Sequence, residues 1–563
     1  TMKFVIVGGV AGGASTAARL RRLDEQAEII MFEKGPHVSF SNCCLPYRLS
    51  EKIDNHNKLI LMDPEQFAAR YNIEARVSHM VLSIDREGKK VKVRNLLKGQ
   101  EYEESYDKLI LAPGANAVVP KIKGMEGGNV FTVKNVVDIS RLYSYLKEKQ
   151  VKRVSVLGGG FIGIEVTENL TEAGYKVSLV EAMPQILRTY DYDMVQILHK
   201  ELMDKGVNLF LGEKAVEFQE SNIVLESGKV VEGEAVIMTV GVTPDTILGK
   251  EAGLELNSRG AFKVDGNYCT SDPDIYAVGD AIEVFHALTH KPAMVSLAGP
   301  AQKQARAAAD HIYGRPVRNT GFIGSSCIKV FDYNAASTGL TAAQCKAEGI
   351  SYDIAYVISQ DKVGIMPGSW PLHYKLIYEV PTGKVLGAQA ISKGDAVKRV
   401  DVAATLIKFG GTVDDLRDLE LCYAPPFSTA KDPVNYAGMV ACNLLQKTFR
   451  QITVDEVRGL VESGAYIIDV REEHEYAQGH IKTAVNIPLS QIRQRLDEIP
   501  KDRPVYLHCR SSQRSYNAVL ALQGHGFQNV YNISGSFLGI SFYEYFNDVT
   551  QNREPIVTAY NFN

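Results

Sequence analysis

The sequence lacks the patterns that mark membrane proteins and disulfide-stabilised proteins. None of its eight cysteines forms a C-x-x-C pair, so neither a metal site nor a disulfide framework is predicted. No stretch of about 18 uninterrupted apolar residues occurs, and no membrane span is expected. The formal net charge is only −4, which argues against bulk binding of nucleic acid. A protein of the reducing cytoplasm fits these features.

The length of the chain predicts several domains. Single hydrophobic cores stop growing at about 250–300 residues, so 563 residues predict three or four domains. Residues 3–7 form an apolar strand directly before Gly8, which leaves no room for a signal peptide.

A glycine-rich turn follows this first strand. Gly8-Gly-Val-Ala-Gly-Gly13 precedes a predicted helix over residues 14–23, and Glu33 ends a predicted strand over residues 28–32. This order is a Rossmann fingerprint, in which glycines let the backbone approach a pyrophosphate and the acid binds a ribose. The usual middle glycine is replaced by Val10. The predicted binding residues are Gly8, Gly9, Val10, Ala11, Gly12, Gly13, Glu33 and Lys34.

A second and complete fingerprint lies in the middle of the chain. Gly158-Gly-Gly-Phe-Ile-Gly163 follows an apolar strand, and a helix over residues 164–173 and a strand ending before Glu181 are predicted after it. Glu181 favours NADH over NADPH, because a carboxylate accepts hydrogen bonds from a ribose diol and repels a 2′-phosphate. The predicted binding residues are Gly158, Gly160, Phe161, Ile162, Gly163 and Glu181.

Three further segments complete a recognisable order. They are Leu109-Ile-Leu-Ala-Pro-Gly114, Thr239-Val-Gly-Val-Thr-Pro244 and Thr270-Ser-Asp-Pro-Asp-Ile-Tyr-Ala-Val-Gly-Asp280. Together with the two fingerprints, residues 2–445 resemble the flavoprotein disulfide reductases with two dinucleotide-binding domains. The resemblance implies FAD in the first fold, NAD(P)H in the second and a contact of Asp280 with the flavin ribityl chain. It adds these binding residues: Ala112, Pro113, Gly114, Gly241, Gly279 and Asp280.

The segment around Cys43 resembles one branch of that family. Ser39-Phe-Ser-Asn-Cys-Cys-Leu-Pro-Tyr47 is similar to S-F-x-N-C-G-L-P-Y, and Arg48 stands where a second redox cysteine would be. This single-cysteine branch includes coenzyme A disulfide reductases, persulfide reductases, and NADH oxidases or peroxidases. The resemblance implies that Cys43 is the redox thiol beside the flavin. Cys44 replaces the usual glycine, and its role stays open.

The resemblance also indicates the substrate. Oxidases and peroxidases of the branch have a histidine at the position of Ala11, so oxygen species are not expected as substrates. A coenzyme A site is implied instead at Ser15, Arg19, Arg22, Ser39 and Asn42. Arg19 and Arg22 share one helix face and would reach phosphates. In the alternative, Arg21 and Arg22 are a solvated surface pair.

Residues 422–435 resemble the dimerisation-domain segment that reaches the partner's active site. A homodimer is therefore implied, with Tyr423 approaching Cys43 of the other subunit and Lys431 contacting coenzyme A. One feature departs from the pattern of coenzyme A disulfide reductases. The chain has Ile365-Met-Pro-Gly368 in place of Y-Y-P-G, which disfavours a bulky symmetrical disulfide and favours a smaller sulfane substrate.

The last hundred residues resemble a rhodanese domain. The signatures are Asp469-Val-Arg471, Gly479-His-Ile-Lys-Thr-Ala-Val-Asn-Ile-Pro488 and Cys509-Arg-Ser-Ser-Gln-Arg-Ser515. Residues 510–514 are predicted to turn their N–H groups towards the sulfur before a helix near Ser515, and Arg510 and Arg514 add positive charge. We expect a thiolate or persulfide at Cys509, and by the same principle a thiolate at Cys43. Phosphatase loops have five residues between the cysteine and the arginine, whereas only four residues separate Cys509 from Arg514. Phosphate hydrolysis is therefore not expected.

These observations predict an α/β fold with two Rossmann-like dinucleotide-binding domains (FAD and NADH), an α+β dimerisation domain and a C-terminal rhodanese α/β domain. The expected boundaries are residues 1–118 with 250–324 for FAD, 119–249 for NADH, 325–447 for dimerisation and 450–555 for rhodanese.

The predicted function is NADH-dependent reduction of coenzyme A persulfide or polysulfide through FAD and Cys43. Coenzyme A is a substrate or bound ligand, and Cys509 loads or transfers sulfane sulfur. Three alternatives stay open: a coenzyme A disulfide reductase, a sulfurtransferase with a structural flavin half, and a non-catalytic sulfur-sensing or scaffold protein.

Overall fold

The computed structural model describes residues 1–127, 129–294 and 298–563. They form two compact units. The first unit contains residues 1–184 and 210–322, and the second contains residues 185–209 and 323–563. Residues 185–209, which the sequence predicts to be part of the NADH-binding domain, thus belong to the second unit.

A five-stranded parallel sheet forms the first half of unit one. Four of its strands are largely apolar and buried, as expected for a parallel sheet covered on both faces, whereas the edge strand Glu74–Val77 contains charged residues and is partly exposed. The order across the sheet is Ile275–Ala277, Lys108–Leu111, Lys3–Val7, Glu28–Glu33 and Glu74–Val77. Because all five strands run in one direction, the residues that follow them meet at one edge of the sheet.

A second five-stranded sheet repeats this arrangement around the second fingerprint. The order is Asn208–Leu211, Lys176–Glu181, Arg153–Leu157, Ala235–Met238 and Val130–Phe131. The remaining strands of unit one are short and mostly antiparallel: His79–Asp85, Lys90–Asn95, Glu101–Ser105, Ala115–Ala117, Ala215–Gln219, Asn222–Leu225, Val230–Val231, Val242–Pro244, Val284–Phe285 and Pro292–Ala293.

Helices pack beside these sheets. The α-helices of unit one are Gly12–Leu23, Pro64–Tyr71, Val136–Glu148, Phe161–Glu172, Ile247–Glu251 and Ala298–Ile312. Its 3₁₀ helices are Asn42–Arg48, His56–Leu59 and Met125–Gly127. Two fingerprint helices begin two or three residues before their predicted starts, because the helical turn already forms inside each glycine-rich segment.

Unit two contains an antiparallel sheet and a parallel sheet. The antiparallel order is Ser326–Val330, Tyr333–Gly339, Val385–Ser392, Pro371–Glu379 and Tyr352–Gln360. The parallel order is Gln451–Ile452, Val530–Ile533, Val505–His508, Tyr466–Asp469 and Val485–Asn486.

The helices of unit two include one from the inserted segment 185–209. The α-helices are Tyr192–Asp204, Ala342–Ala347, Val397–Lys408, Val413–Asp418, Pro433–Leu445, Val454–Glu462, Glu473–Gln478, Gln513–Gly524 and Ser536–Thr550, and the 3₁₀ helices are Leu489–Gln494 and Leu496–Glu498. Among the described residues, no helix is long and apolar enough to span a bilayer.

A buried ion pair explains why the segment 185–209 belongs to unit two. The Lys375 ammonium lies 3.0 Å from both carboxylate oxygens of Asp193 and 3.2 Å from Asp191. Lys375 is only 5 % exposed, so each charge depends on the others for compensation. Asp191 also accepts hydrogen bonds from the N–H groups of Ala342 and Ala343.

We expect Lys375→Met to destabilise the protein, because it leaves two carboxylates buried without a cation. Breaking a buried pair in this way costs about 3–5 kcal/mol. Calorimetry should show a lower melting temperature for Lys375→Met, whereas Lys346→Met, at an exposed lysine of the same domain, should melt like the wild type. Equal melting temperatures for both variants would contradict this account of the segment.

Candidate active sites

A cavity of about 200 Å³ at the edge of the first sheet brings together residues of four of the predicted motifs. The predicted residues that line it are Gly8, Val10, Ala11, Gly12, Glu33, Lys34, Asn42, Ala112, Pro113, Gly114, Gly279 and Asp280. Apart from Asn42, which begins a 3₁₀ helix, they follow the ends of separate parallel strands, which places a common binding groove at the carboxyl edge of the sheet.

The glycines of the two fingerprints share one geometry. Gly8 and Gly158 have φ angles of 102° and 103°. A Cβ atom at these positions would lie 1.9 and 2.2 Å from a carbonyl oxygen at the end of the neighbouring strand. A Cβ atom at Gly13 or Gly163 would lie 1.7 or 1.9 Å from the carbonyl oxygen of the first glycine of its turn. These contacts hold each helix against its turn, so no larger residue fits.

Glu33 and Glu181, each of which ends the strand after a fingerprint helix, also have similar hydrogen bonds. Glu33 accepts hydrogen bonds from the N–H groups of Gly9 at 3.1 Å and Gly35 at 2.7 Å. Glu181 accepts from the second glycine of its turn at 3.0 Å and from Met183 at 2.7 Å. Both carboxylates are therefore fixed beside a glycine-rich turn, in the place where a ribose diol is bound in this type of fold.

Both fingerprint helices present uncapped N-termini. Neither has a side-chain cap or an acidic residue in its first turn. A Cβ atom at Gly160 would meet no protein atom within 4 Å, and the matching residue of the first turn, Val10, does carry a side chain. The protein alone thus does not require glycine at 160, whereas a pyrophosphate close to the backbone would. The residues fit two dinucleotides.

Asp280 lies in the first cavity, where burial raises the pKa of its carboxyl and the charge of Lys134 partly opposes the shift. Lys134 lines the same cavity but belongs to none of the predicted motifs, so sequence reasoning did not find it. It follows the edge strand of the second sheet, and only the fold brings it near Asp280.

Cys43 lies on the 3₁₀ helix Asn42–Arg48 and is exposed. Although the residue is exposed as a whole, partial desolvation of its sulfur raises the pKa of the Cys43 thiol, and the negative charge of Glu165 and Asp280 adds to the effect. No arginine is among the described groups that act on this sulfur, whereas a backbone N–H group does favour the thiolate, as expected. The surrounding protein groups are mainly acidic, and they favour the neutral thiol.

Glu165 is a further residue that sequence reasoning missed. It lies on the helix Phe161–Glu172, two residues after the last fingerprint glycine. Burial, with a contribution from Glu168, raises the pKa of Glu165 to about 7. Its carboxyl therefore changes charge near neutral pH, close enough to influence Cys43. Its place in the sequence gave no signal, because glutamate is common in helices.

The basic residues of the first helix have different environments. Arg19 pairs with Asp310 at 2.8 Å, and Arg21 is buried and donates to four backbone carbonyl groups. Arg22 is exposed. The alternative in which Arg21 and Arg22 form a solvated pair is thus wrong for Arg21. The coenzyme A roles of Arg19 and Arg22 stay predictions, as do those of the half-exposed Ser15 and Ser39.

Cys509 follows the central strand Val505–His508 of the parallel sheet and is 1 % exposed. The N–H group of Ser512 donates to its Sγ at 3.0 Å, and the hydroxyl of Ser515 donates at 3.5 Å. Ser512 has a φ of 88°, a strained conformation for serine that turns its N–H towards the sulfur. Of the N–H groups predicted to face the sulfur, that of Ser512 does so, and the helix begins at Gln513 rather than near Ser515. A thiolate or persulfide at Cys509 stays a prediction.

The two arginines of this loop are held differently. Arg514 donates to both oxygens of Glu475 at 2.7 and 2.9 Å, and these hydrogen bonds raise the pKa of its guanidinium. Arg510 donates to the carbonyl oxygen of Asn563 at 2.9 Å. Burial and the charge of Arg514 lower the pKa of Arg510. The two arginines thus have different partners, the main-chain oxygen of Asn563 for Arg510 and the carboxylate of Glu475 for Arg514.

Hydrogen bonds from a buried arginine of unit two fix the segment that contains Tyr423 and Lys431. Arg399, 1 % exposed, donates to Asp432 at 3.2 Å and to the carbonyl oxygen of Phe427 at 3.3 Å. Tyr423 itself is 49 % exposed. Across the described ranges, no group of histidine, cysteine and acidic side chains is arranged to hold a metal ion.

Comparisons with known proteins agree with this architecture. The pyridine nucleotide-disulphide oxidoreductase family matches residues 2–305, its dimerisation domain matches residues 325–433, and the rhodanese-like domain matches residues 453–541. The chain therefore belongs to the pyridine nucleotide-disulphide oxidoreductases and carries a rhodanese-like domain. The predicted fold class and family resemblance are confirmed, and the family implies FAD and NAD(H) as cofactors.

Individual relatives cover most of the chain. Coenzyme A disulfide reductase of Staphylococcus aureus (strain JH9) is 35% identical over 440 residues, which is 78% of this chain and 99% of that protein. The crystal structure of reduced Bacillus anthracis CoADR-RHD is 42% identical, covers 96% of this chain and 98% of its own, and has a TM-score of 0.94. The NAD-dependent persulfide reductase from A. fulgidus is 32% identical, covers 95% and 99%, and has a TM-score of 0.90.

We expect Gly160→Ala to weaken binding of NADH without weakening the fold, because its methyl group meets no protein atom but lies where a pyrophosphate would approach. The dissociation constant for NADH should rise about tenfold, or about 1.4 kcal/mol. Titration of the protein with NADH measures this. Gly459→Ala is the matched control, since its Cβ also meets nothing within 4 Å. An unchanged NADH affinity in Gly160→Ala would contradict the assignment of the second turn.

We expect Glu165→Gln to make Cys43 more reactive above pH 7. Glu165 is charged there and opposes the thiolate, so its neutralisation lowers the pKa of the Cys43 thiol. Alkylation of Cys43, followed by mass spectrometry in a Cys44→Ser background, should be about threefold faster at pH 8. It should be unchanged at pH 5.5, where Glu165 is already protonated. Glu172→Gln, on the same helix, should behave as the parent at both pH values.

Proposed function

We propose that this protein is an FAD-dependent reductase that uses NADH to convert coenzyme A persulfide or polysulfide into coenzyme A and hydrogen sulfide. One observation carries the proposal. A single chain holds an exposed thiol beside a dinucleotide groove and, in its rhodanese-like domain, a buried thiol whose sulfur accepts an N–H hydrogen bond. The relatives named for reduction of coenzyme A disulfide and of a persulfide support this substrate class.

The proposed reaction at Cys43 is reductive cleavage of a sulfur–sulfur bond. Bound FAD would relay the two electrons of NADH to the oxidised form of Cys43, in which its sulfur is bonded to a sulfur of the substrate. The Cys43 thiolate attacks one sulfur of the persulfide and forms a new sulfur–sulfur bond with it, while the original bond breaks and its electron pair leaves with the other sulfur fragment. The two electrons would then cleave the new bond, release the second fragment and restore the Cys43 thiolate. The net change is R–S–SH, NADH and a proton giving R–SH, H₂S and NAD⁺. Which sulfur is attacked is left open.

Glu165 is placed to hold a proton in this cycle. Its pKa of about 7 allows it to be either acid or base at neutral pH. A proton on Glu165 removes the charge that opposes the Cys43 thiolate. We therefore propose that protonation of Glu165 accompanies formation of this thiolate.

The remaining assignments complete the proposal. Glu181 supports NADH over NADPH, because its fixed carboxylate would repel a 2′-phosphate. The matched dimerisation domain supports a homodimer in which Tyr423 reaches the partner's Cys43, and Lys431 contacts coenzyme A. All eight cysteines are free thiols. The proposed mechanism needs Cys43 and Cys509 as thiols, so the reducing cytoplasm is the proposed location.

Reduction of coenzyme A disulfide is the second candidate. It is favoured by the 35% identical relative that carries this name. The tyrosines expected for such an enzyme are replaced here by Ile365 and Met366, and Ile365 is 93 % exposed without a hydroxyl group to offer. We therefore rank the persulfide first.

The test is anaerobic NADH oxidation with sulfide measured at the same time. Cys43→Ser should reduce turnover of a small persulfide to background, because no thiolate remains to attack the sulfur–sulfur bond. Cys509→Ser should retain that turnover but lose sulfide production from bulkier sulfane donors. Cys327→Ser, at another exposed cysteine, is the control and should behave as the wild type.

Two outcomes would change the proposal. Sulfide production that persists in Cys43→Ser would remove this residue from the mechanism. Faster turnover of coenzyme A disulfide than of its persulfide by the wild type would favour the second candidate.

A further inference from the structure

Asn532 is a polar residue in an otherwise largely apolar strand of the rhodanese-like sheet. The strand Val530–Ile533 is buried at both ends, and Asn532 is only 4 % exposed. Asparagine is depleted in strands, and a buried carboxamide costs free energy unless its donors and its acceptor are hydrogen-bonded. The hydrogen-bond partners of Asn532 therefore indicate why a carboxamide lies at this position.

The carboxamide of Asn532 bonds to two residues of the segment after Cys509. Its Nδ2 donates to the carbonyl oxygen of Ser512 at 3.3 Å. Its Oδ1 accepts from the hydroxyl of Ser515 at 2.6 Å. These two bonds fix the orientation of the carboxamide, because exchanging its nitrogen and its oxygen would bring two accepting oxygens together.

The same two residues donate hydrogen bonds to the sulfur of Cys509. The N–H group of Ser512 lies 3.0 Å from Cys509 Sγ, and the hydroxyl oxygen of Ser515 lies 3.5 Å from it. A single buried side chain, that of Asn532, thus contacts both residues whose donors face the sulfur.

Ser512 depends on contacts that fix its backbone. Its φ of 88° lies in the left-handed region, which is strained for a residue with a side chain. Its carbonyl oxygen accepts from Asn532 and also from the N–H group of Tyr516, in the first turn of the helix Gln513–Gly524. Bonds at this carbonyl group keep Ser512 in the strained conformation, and that conformation turns its N–H group towards the sulfur.

The hydroxyl of Ser515 has one hydrogen and three acceptors nearby. They are Asn532 Oδ1 at 2.6 Å, the carbonyl oxygen of Ser512 at 3.1 Å and Cys509 Sγ at 3.5 Å. A hydroxyl donates to one acceptor at a time, and negative charge on an acceptor strengthens the bond. Negative charge on the sulfur therefore favours rotation of the hydroxyl towards Cys509, from a position that Asn532 fixes.

We propose that Asn532 is a positioning residue for Cys509. Its carboxamide orients the N–H group of Ser512 and the hydroxyl of Ser515, and these two donors stabilise negative charge on the sulfur. The inference rests on the proposed role of Cys509 in sulfane transfer and adds a residue to that site. In the step that Asn532 assists, the Cys509 thiolate attacks the outer sulfur of a donor such as thiosulfate. A new sulfur–sulfur bond forms, the original one breaks, and its electron pair leaves with sulfite.

The charged side chains around Cys509 lie outside these contacts. They are Arg510 and Arg514 of the loop, Glu475 of the helix Glu473–Gln478, and the buried pair Asp469 and Arg471. Burial lowers the pKa of the neighbouring His508, so its imidazole stays neutral at the pH values where a thiol ionises. Variants at position 532 leave all these groups in place, so a change in the ionisation of Cys509 reports on its hydrogen bonds.

The test is the pH dependence of Cys509 alkylation in the full-length flavoprotein. Iodoacetamide reacts with the thiolate, and mass spectrometry of the peptide that contains Cys509 gives the rate. In Asn532→Ala both donors lose their fixed orientation, so the midpoint of the pH–rate profile should rise by about one pH unit. Alkylation should be about tenfold slower than in the parent below the midpoint and equal to it well above the midpoint.

Two further variants separate the two contacts. Asn532→Asp keeps an acceptor for Ser515 but replaces the donor to Ser512 by a negative charge, so the midpoint should rise further than in Asn532→Ala. Ser515→Ala removes the hydroxyl but leaves the bond between Asn532 and Ser512, so its midpoint should rise less than in Asn532→Ala. A rise in Ser515→Ala that equals or exceeds the rise in Asn532→Ala would contradict the contact with Ser512.

Asn529→Ala is the matched control. Asn529 precedes the same strand at its opposite end, and its Nδ2 donates to the carbonyl oxygens of Pro500 at 2.8 Å and Arg503 at 2.6 Å. Loss of these bonds should leave the midpoint unchanged. A loosened fold would expose Cys509 and speed alkylation at every pH, whereas lost hydrogen bonds slow it only below the midpoint. An unchanged midpoint or faster alkylation at every pH in both variants at position 532, or an equal rise in the control, would overturn the inference.

Sulfur transfer gives a second readout and separates this inference from the proposed function. Below the midpoint, sulfite release from thiosulfate should be slower in Asn532→Ala, because the Cys509 thiolate is the attacking group. Equal sulfite release in the parent and in this variant would contradict the role of Asn532. The alkylation profile needs neither NADH nor a sulfane donor. Absence of NADH-dependent sulfide production in the parent would therefore remove the reductase proposal and leave the role of Asn532 standing.

Discussion

The carboxyl ends of parallel strands meet at one edge of a sheet, and the proposed chemistry of this protein depends on that constraint. In the first sheet it brings Gly8, Gly114 and Asp280, which are far apart in the sequence, around one groove. In the rhodanese-like sheet it places Cys509 at the end of a central strand, where the following loop turns an N–H group onto the sulfur. The same feature of backbone geometry thus positions a dinucleotide groove in one unit and a nucleophile in the other.

The two proposed reactive thiols have opposite surroundings. Cys43 is exposed and lies among acidic groups, so the protein alone favours its neutral form. Cys509 is buried, and its sulfur accepts hydrogen bonds from the N–H group of Ser512 and the hydroxyl of Ser515. Such a difference suits different tasks. A thiol that cycles with electrons can depend on proton transfer, for which Glu165 is suitably placed, whereas a thiol that carries sulfane sulfur needs a permanent anion site.

Buried charges order the second unit around these functions. The ion pair of Lys375 with Asp191 and Asp193 ties the segment 185–209 to the antiparallel sheet. Arg399 fixes the start of the helix Pro433–Leu445 through Asp432, and so positions the exposed segment before it. The positions of both elements are therefore fixed by charge compensation in the interior.

The sequence by itself determined the family, the order of domains and most of the groove residues. Fingerprint glycines, strand-terminal acids and the Cys509 loop are local patterns, because each requires residues at a fixed spacing along the chain. The tertiary structure alone decided which groups surround them. Lys134 near Asp280, Glu165 near Cys43 and the pairing of Arg19 with Asp310 join residues from separate elements. Burial and Coulomb interaction depend on distance in space, so no spacing in the sequence reports them.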